Sequence, residues 1–179
     1  MAQPNYSEAL KEIKKSISNL SENISEIKTL LYRVVGEKEE EELKQSLSTN
    51  NFREYCLTLA EAKALDVSNK KKNAYVIGSD QICCYGEEIF SKPLTKENCF
   101  KTLSKLSGNT HYQNCGISIC KNGKEIWSHY AQAALTMKSL SDREIRDYID
   151  KDEPFMACGA YRFESLGKNL FLTTKGDET

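Results

Sequence analysis

Asn122-Gly123, set between Lys121 and Lys124, most constrains how this chain can fold. The pair readily takes positive φ and so closes a tight antiparallel hairpin. The residues on both sides suit that role. Thr110 to Cys120 can alternate as a strand, and Glu125 to about Met137 carries Ile126, Trp127, Tyr130, Leu135 and Met137 as the returning strand. The middle of the chain is thereby committed to sheet.

A second strand is expected at Ala74-Tyr75-Val76-Ile77-Gly78-Ser79-Asp80-Gln81, where branched and aromatic residues run into a glycine and then a lone carboxylate. A strand that ends in Gly-x-Asp delivers an acid to the rim of a sheet, and the glycine lets ligand or backbone come close. An ordinary turn after a strand is the other reading of the same octapeptide. Ile82-Cys83-Cys84-Tyr85 is expected to form a separate strand, turned by Gly86.

Helices are expected around these strands. Phe52 to about Val67 follows a cap at 48–51 and sets Tyr55, Leu59, Ala62 and Leu65 on one face, with Lys63 near its far end. Thr95 caps a helix to Leu106 that Gly108 stops, and Ser141 caps one with Ile145, Tyr148 and Ile149 inward. Phe155 to Phe163 and Leu170 to Thr173 are expected as closing strands. Near the N-terminus, Tyr6, Leu10, Ile13, Ile17, Leu20, Ile24, Ile27 and Leu31 recur in steps of four and three. That predicts an amphipathic helix with a heptad seam over 1–33, which either packs on its own domain or self-associates. The glutamates at 39–42 suit a helix start, where negative charge meets the positive end of the dipole, and one of them can instead serve a metal. The expected class is α/β: one domain over 34–179 with a mixed sheet flanked by helices, preceded by the heptad helix.

Charge narrows the function. Lys plus Arg number 25 against 26 Asp plus Glu, a balance of −1 that argues against a nucleic-acid polymer as partner. No apolar run approaches a bilayer span and no secretory signal opens the chain, so no membrane partner is expected. The seven cysteines have no framework spacing, which predicts reduced thiols in a cytoplasmic protein, mostly buried as small hydrophobes. With only two histidines and no Cys-x-x-Cys, a structural zinc site is not expected. Carboxylates with lysines remain: Asp80, Lys63, Lys92 and the glutamates near 40 are the minimum kit for a metal-assisted phosphate reaction, because carboxylates hold Mg²⁺ or activate water and lysines neutralise phosphate oxygens.

Six motifs in order resemble the Maf family of nucleoside-triphosphate pyrophosphatases. Val76-Ile77-Gly78-Ser79-Asp80-Gln81 followed by Lys92-Pro93 is similar to the family's Gly-[Ala/Ser]-Asp-[Thr/Gln] and Lys-Pro motifs. Leu59 to Ala64 resembles its Leu-Ala-x-x-Lys-Ala helix, and Leu106 to His111 its Leu-Ser-Gly-x-Thr-His. Glu144 to Tyr148, Cys158 to Glu164 and Gly176-Asp177 complete the match. The resemblance implies a single ITPase-like domain that cleaves nucleoside triphosphates to monophosphate and pyrophosphate, with Mg²⁺ or Mn²⁺, as housecleaning of surplus or modified nucleotides, often as a cytoplasmic homodimer. Carried over by position, Asp80 accepts the proton of water and touches the metal together with Glu40 (or Glu39). Lys63 and Lys92 bind phosphate, Gln81 and Glu164 help set the base, and His111 is structural.

Two departures accompany the match. The family's Ser-x-Ser-x-x-Arg loop, which holds triphosphate, has no counterpart before Arg33, and the chain reaches Thr179 where a Gly-Leu-Pro segment would follow. Each missing charge-assisted hydrogen bond to phosphate would cost about 1.5–3 kcal/mol. The resemblance therefore leaves two alternatives, an active pyrophosphatase and a catalytically inactive nucleotide-binding or oligomeric protein of the same fold.

Overall fold

The computed structural model describes residues 42–44, 47 and 51–176. The heptad segment 1–33, Glu39, Glu40 and Asp177 lie outside the described residues.

Helix α1, Phe52–Lys70, begins at Asn51, whose side chain accepts the Glu54 N–H at 3.1 Å and donates to its carboxylate at 3.0 Å. One orphan amide of the first turn is thus engaged, and the acid sits at the positive helix end. The strands are β1 (Tyr75–Tyr85), β2 (Glu88–Phe90), β3 (Thr110–Lys121), β4 (Lys124–Met137) and β5 (Phe171–Gly176). Helix α2, Lys96–Leu106, follows its Thr95 cap, and α3, Asp142–Asp152, starts in a full Ser141–Glu144 capping box. The sheet runs β2-β1-β3-β4-β5. Every pairing among the described strands is antiparallel, so this part of the expected mixed sheet contains no parallel pair.

The Asn122-Gly123 hairpin joins β3 to β4 with both turn residues at positive φ, 53° and 76°. Two other expectations change. Val76 to Tyr85 is not two strands: β1 runs unbroken, pairing with β3 from Tyr75 opposite Lys121 to Cys84 opposite Tyr112. Asp80 therefore lies in mid-strand rather than at a strand end. Phe155 to Phe163 is not a strand but a series of turns, with Ala160 and Gly159 at positive φ of 60° and 80°.

The uninterrupted β1 explains Gly78. A Cβ there would sit 2.2 Å from the Ala60 carbonyl oxygen of α1, and one on Gly116, the residue paired with Asp80, would sit 2.5 Å from the Cys56 carbonyl. The close approach that the glycine permits is made by a helix backbone. α1 buries Tyr55, Cys56, Leu59, Ala60, Ala64 and Val67, a face turned from the expected Ala62 and Leu65 so that small residues meet the two glycines. Val76 and Ile82 of β1 pack under this helix.

The opposite face of the sheet is covered at one end only. There Cys83, Leu135 and Met137 pack with Leu103 and Leu106 of α2, Ile145 and Ile149 of α3, and Tyr161 and Phe171. Toward the hairpin the same face stays open, with Ile77 and Trp127 exposed. Where cover gives way to open sheet there is a cleft.

Candidate active site

Strand alternation sends Asp80 toward α1 and Gln81 to the other face. On the α1 side, Lys63 projects from the helix and its Nζ donates to Asp80 Oδ1 at 2.6 Å. Both are largely shielded, with 21% of the lysine and 10% of the aspartate side chain exposed, so the pair is screened far less than a surface ion pair. Lys63 is thus not a surface cation at the far end of its helix. The helix geometry that fits Ala60 and Ala64 over Gly78 also sets Lys63 over Asp80.

On the other face, Gln81 and Glu164 line a cleft of about 790 Å³. Gln113, Tyr161, Cys158 and Phe163 contribute to the same walls. The charged node under this cleft was not anticipated from the sequence. Asp152, 1% exposed at the end of α3, accepts from Tyr148 OH at 2.8 Å, Ser165 Oγ at 2.6 Å and Arg162 Nη2 at 2.9 Å. Arg162 Nη2 also donates to the Asp152 carbonyl. Burial pushes the Asp152 carboxyl upward, but these three donors outweigh it and hold the group below its ordinary range. The turn that carries Phe163 and Glu164 is anchored by this carboxylate on one side and by the Arg162 N–H to Tyr148 OH bond, 3.0 Å, on the other.

Cys158 connects the two faces. Its thiol lines the cleft and also feels the charges of Lys92, Asp80, Lys44 and Lys63. The strand edge between them carries no partner over 75–82 among the described strands, because β2 pairs only with Cys83 to Tyr85. Asp80, Lys63 and Lys92 are thus within electrostatic reach of Cys158, which lines the cleft with Gln81 and Glu164. Of the predicted site residues, Lys63 and Asp80 are paired and Gln81 and Glu164 line one cleft; Glu40 lies outside the described residues. Lys44 joins the cluster without having been singled out, since only its position after the glutamate run marks it in the sequence. Gln113 could have been found as a polar residue two positions from the buried His111 on the same strand face.

Most of the cysteines are buried, as expected of small hydrophobes. All seven are free. Burial pushes the Cys56 thiol up to about 12, and burial also raises Cys83, Cys84, Cys99, Cys120 and Cys158. For Cys158 the surrounding lysines pull the other way without reversing the effect, so the thiol is protonated at neutral pH and is no nucleophile. His111 is fully buried at the covered end of the sheet, and burial lowers its pKa to about 4. It is a neutral structural group.

The described residues hold no group of three or more His, Cys, Asp or Glu side chains placed for a metal, and no described helix is long and apolar enough to cross a membrane. One carboxylate beside lysines nevertheless suits Mg²⁺, which is commonly held by one or two carboxylates and the substrate's own phosphates.

The sequence matches the model of the Maf-like protein family over residues 12–179. The chain belongs to this family. Among its relatives, a nucleoside triphosphate pyrophosphatase of Legionella pneumophila (strain Corby) is 39% identical over 139 residues, covering 78% of this chain and 70% of that protein. A nucleoside triphosphate pyrophosphatase of Pelagibacter ubique is 31% identical over 168 residues, or 91% and 86% of the two chains. A 7-methyl-GTP pyrophosphatase of Brucella abortus is 42% identical over 121 residues, 66% of this Maf-family chain and 61% of that protein.

Proposed function

We propose that this Maf-family chain hydrolyses nucleoside triphosphates between the α and β phosphates, releasing a monophosphate and pyrophosphate. The observation that carries the reading is the shielded Lys63–Asp80 pair, 2.6 Å long, whose aspartate is next in sequence to Gln81, which lines a cleft with Glu164. The names of the relatives support it. Water attacks the α-phosphorus, its proton passes to Asp80, and the bond to the bridging oxygen breaks so that pyrophosphate leaves with the electron pair. Lys63 and Lys92 neutralise phosphate oxygens as negative charge grows on the leaving group. Gln81 and Glu164 face the base in the cleft.

Asp80, together with Glu40, would hold a divalent cation, Mg²⁺ or Mn²⁺, which when bound supplies charge neutralisation on the phosphates. Free, buried thiols support a reducing cytoplasmic setting for this work. The heptad stripe of residues 5–31 supports a homodimer.

The test is pyrophosphate release from a panel of ordinary and modified nucleotides with Mg²⁺ or Mn²⁺. Asp80→Asn, which keeps the shape and removes the base, should lower turnover by about 10²-fold or more. Release by the unaltered protein no greater than that of Asp80→Asn on every nucleotide refutes hydrolysis and favours nucleotide binding alone.

A further inference from the structure

Phe163 is a large ring that the fold leaves in the open. It is 43% exposed and lines the cleft next to Glu164. Single apolar side chains at a surface are ordinary, but this one is fixed in place at the wall of a cleft. Its turn is tied down on both sides. The Arg162 N–H donates to Tyr148 OH at 3.0 Å, and Ser165 Oγ donates to Asp152 at 2.6 Å. The Ser165 and Gly167 amides both return to the Arg162 carbonyl, at 3.1 and 3.0 Å. A Cβ on Gly167 would collide with that carbonyl, so the loop is closed tightly. Behind the ring stands an aromatic series. Phe163 lies against Phe171 with centroids 5.8 Å apart, and Phe171 lies against Tyr161 at 4.9 Å and His111 at 5.7 Å. The last three are buried, and Phe163 is the exposed end.

The floor of the same cleft leaves room for a flat ligand. Ala133 of β4 and Gly176 of β5 are paired and both line it, and a Cβ on Gly176 would meet nothing within 4 Å. We infer that Phe163 is a nucleobase-stacking residue, whose ring packs offset on the plane of the base while Gln81 and Glu164 stay free for the base edge. This rests on the reading of the cleft as the base-binding half of the site. Every base has a π face, so the stack contributes affinity without choosing among bases, and discrimination is left to the polar groups. An aromatic side chain held by its turn also has little conformational freedom to lose when the ligand arrives. A polyphosphate without a base gains nothing from the ring.

The test replaces the ring and keeps its apolar bulk. Phe163→Leu in the full chain should weaken GMP and UMP by about tenfold or more in titration calorimetry, the loss of one base–aromatic stack. Its melting temperature should stay near that of the parent, because the ring is exposed. Phe163→Trp restores a π face and should bind both nucleotides at least as tightly as the parent, which a purely structural role would not bring about. The added indole also gives a spectroscopic signature. Trp127 is the sole tryptophan of the sequence, so the parent serves as the fluorescence blank. GMP should change the Phe163→Trp emission beyond that blank, and pyrophosphate should not. Should Phe163→Leu unfold, the indole signal decides. Parental affinity in a folded Phe163→Leu, an indole insensitive to nucleotide, or no binding of either nucleotide by the parent overturns the inference. Pyrophosphate release from GTP, measured alongside, separates this from the catalytic reading. Stacking without release sustains the role of Phe163 and refutes hydrolysis, whereas release with an unchanged KM in Phe163→Leu does the reverse.

Discussion

Asp80 shows how one residue's role depends on neighbours remote in sequence. Its carboxylate is held by a lysine 17 positions earlier, and the contact exists because α1 lies directly on the strand. Lys63→Met should weaken the KM for nucleotide and lower kcat together, since the cation contacts both the base carboxylate and, in the proposed reaction, a phosphate. The expected loss in kcat/KM is about 10-fold or more, from one charge-assisted interaction of about 1.5–3 kcal/mol. Steady-state kinetics on the best nucleotide checks it. His111 makes a different prediction, about stability. Its folded pKa, about 4, lies below the ordinary 6.5, so the neutral buried ring contributes stability that is fully present above 6.5 and lost as pH falls through 4. The difference corresponds to about 3 kcal/mol. Asp152 adds in the same direction at lower pH, because its depressed carboxyl stabilises the fold above the ordinary aspartate range and loses that effect on protonation. Urea unfolding from pH 7 to pH 4 should therefore show a falling midpoint, and His111→Asn should flatten the slope between 6.5 and 4.

At the scale of elements, the packing of α1 against β1 and β3 governs the site. Gly78→Ala would drive a methyl to 2.2 Å from the Ala60 carbonyl oxygen and 2.7 Å from the Ala64 amide, so helix and sheet must separate. A destabilisation of about 1–3 kcal/mol is expected, read as a lowered melting temperature, together with a loss of activity because Lys63 leaves Asp80. Gly86→Ala has open space around the added carbon and differs only by the strain of its 59° φ, so it should spare the site. The turn after α3 supplies a parallel case. Asp152→Ala removes the acceptor of Tyr148 OH and Ser165 Oγ and frees the segment that carries Glu164, at about 2–3 kcal/mol. Calorimetric melting beside nucleotide binding would show both losses. The hairpin, the three capped helices and their approximate bounds were legible in the sequence because caps, Asn-Gly and alternation are local signals. The unbroken β1 was not. Gly78 reads locally as a strand terminus, and only the helix backbone lying across it shows that the glycine is there for tertiary contact. The turns at 155–163 misread as a strand for a related reason: Ala160 and Tyr161 are buried by packing with Cys83, Leu135 and Phe171 rather than by sheet pairing.

For the whole molecule, the sheet divides the labour between its two faces. Phosphate chemistry is assigned to the α1 side and base recognition to the other, with the edge of β1 between them. The motifs that resemble the Maf family named Asp80, Lys63, Lys92, Gln81 and Glu164, and the fold pairs Asp80 with Lys63 and sets Gln81 and Glu164 in one cleft. Periodicity alone could not have done so, because convergence depends on register and on which strand edge stays unpaired. Lys44, Gln113, Tyr161 and Asp152 escaped notice since each acts through a partner distant in sequence. The central claim is a specific bond cleavage, and phosphorus-31 NMR of a nucleoside triphosphate incubated with the full chain and Mg²⁺ tests it most directly. The expected spectrum gains nucleoside monophosphate and pyrophosphate in equal amounts, and Asp80→Asn produces both at least about 10²-fold more slowly. Diphosphate with orthophosphate, or an unchanged triphosphate, would contradict the assignment.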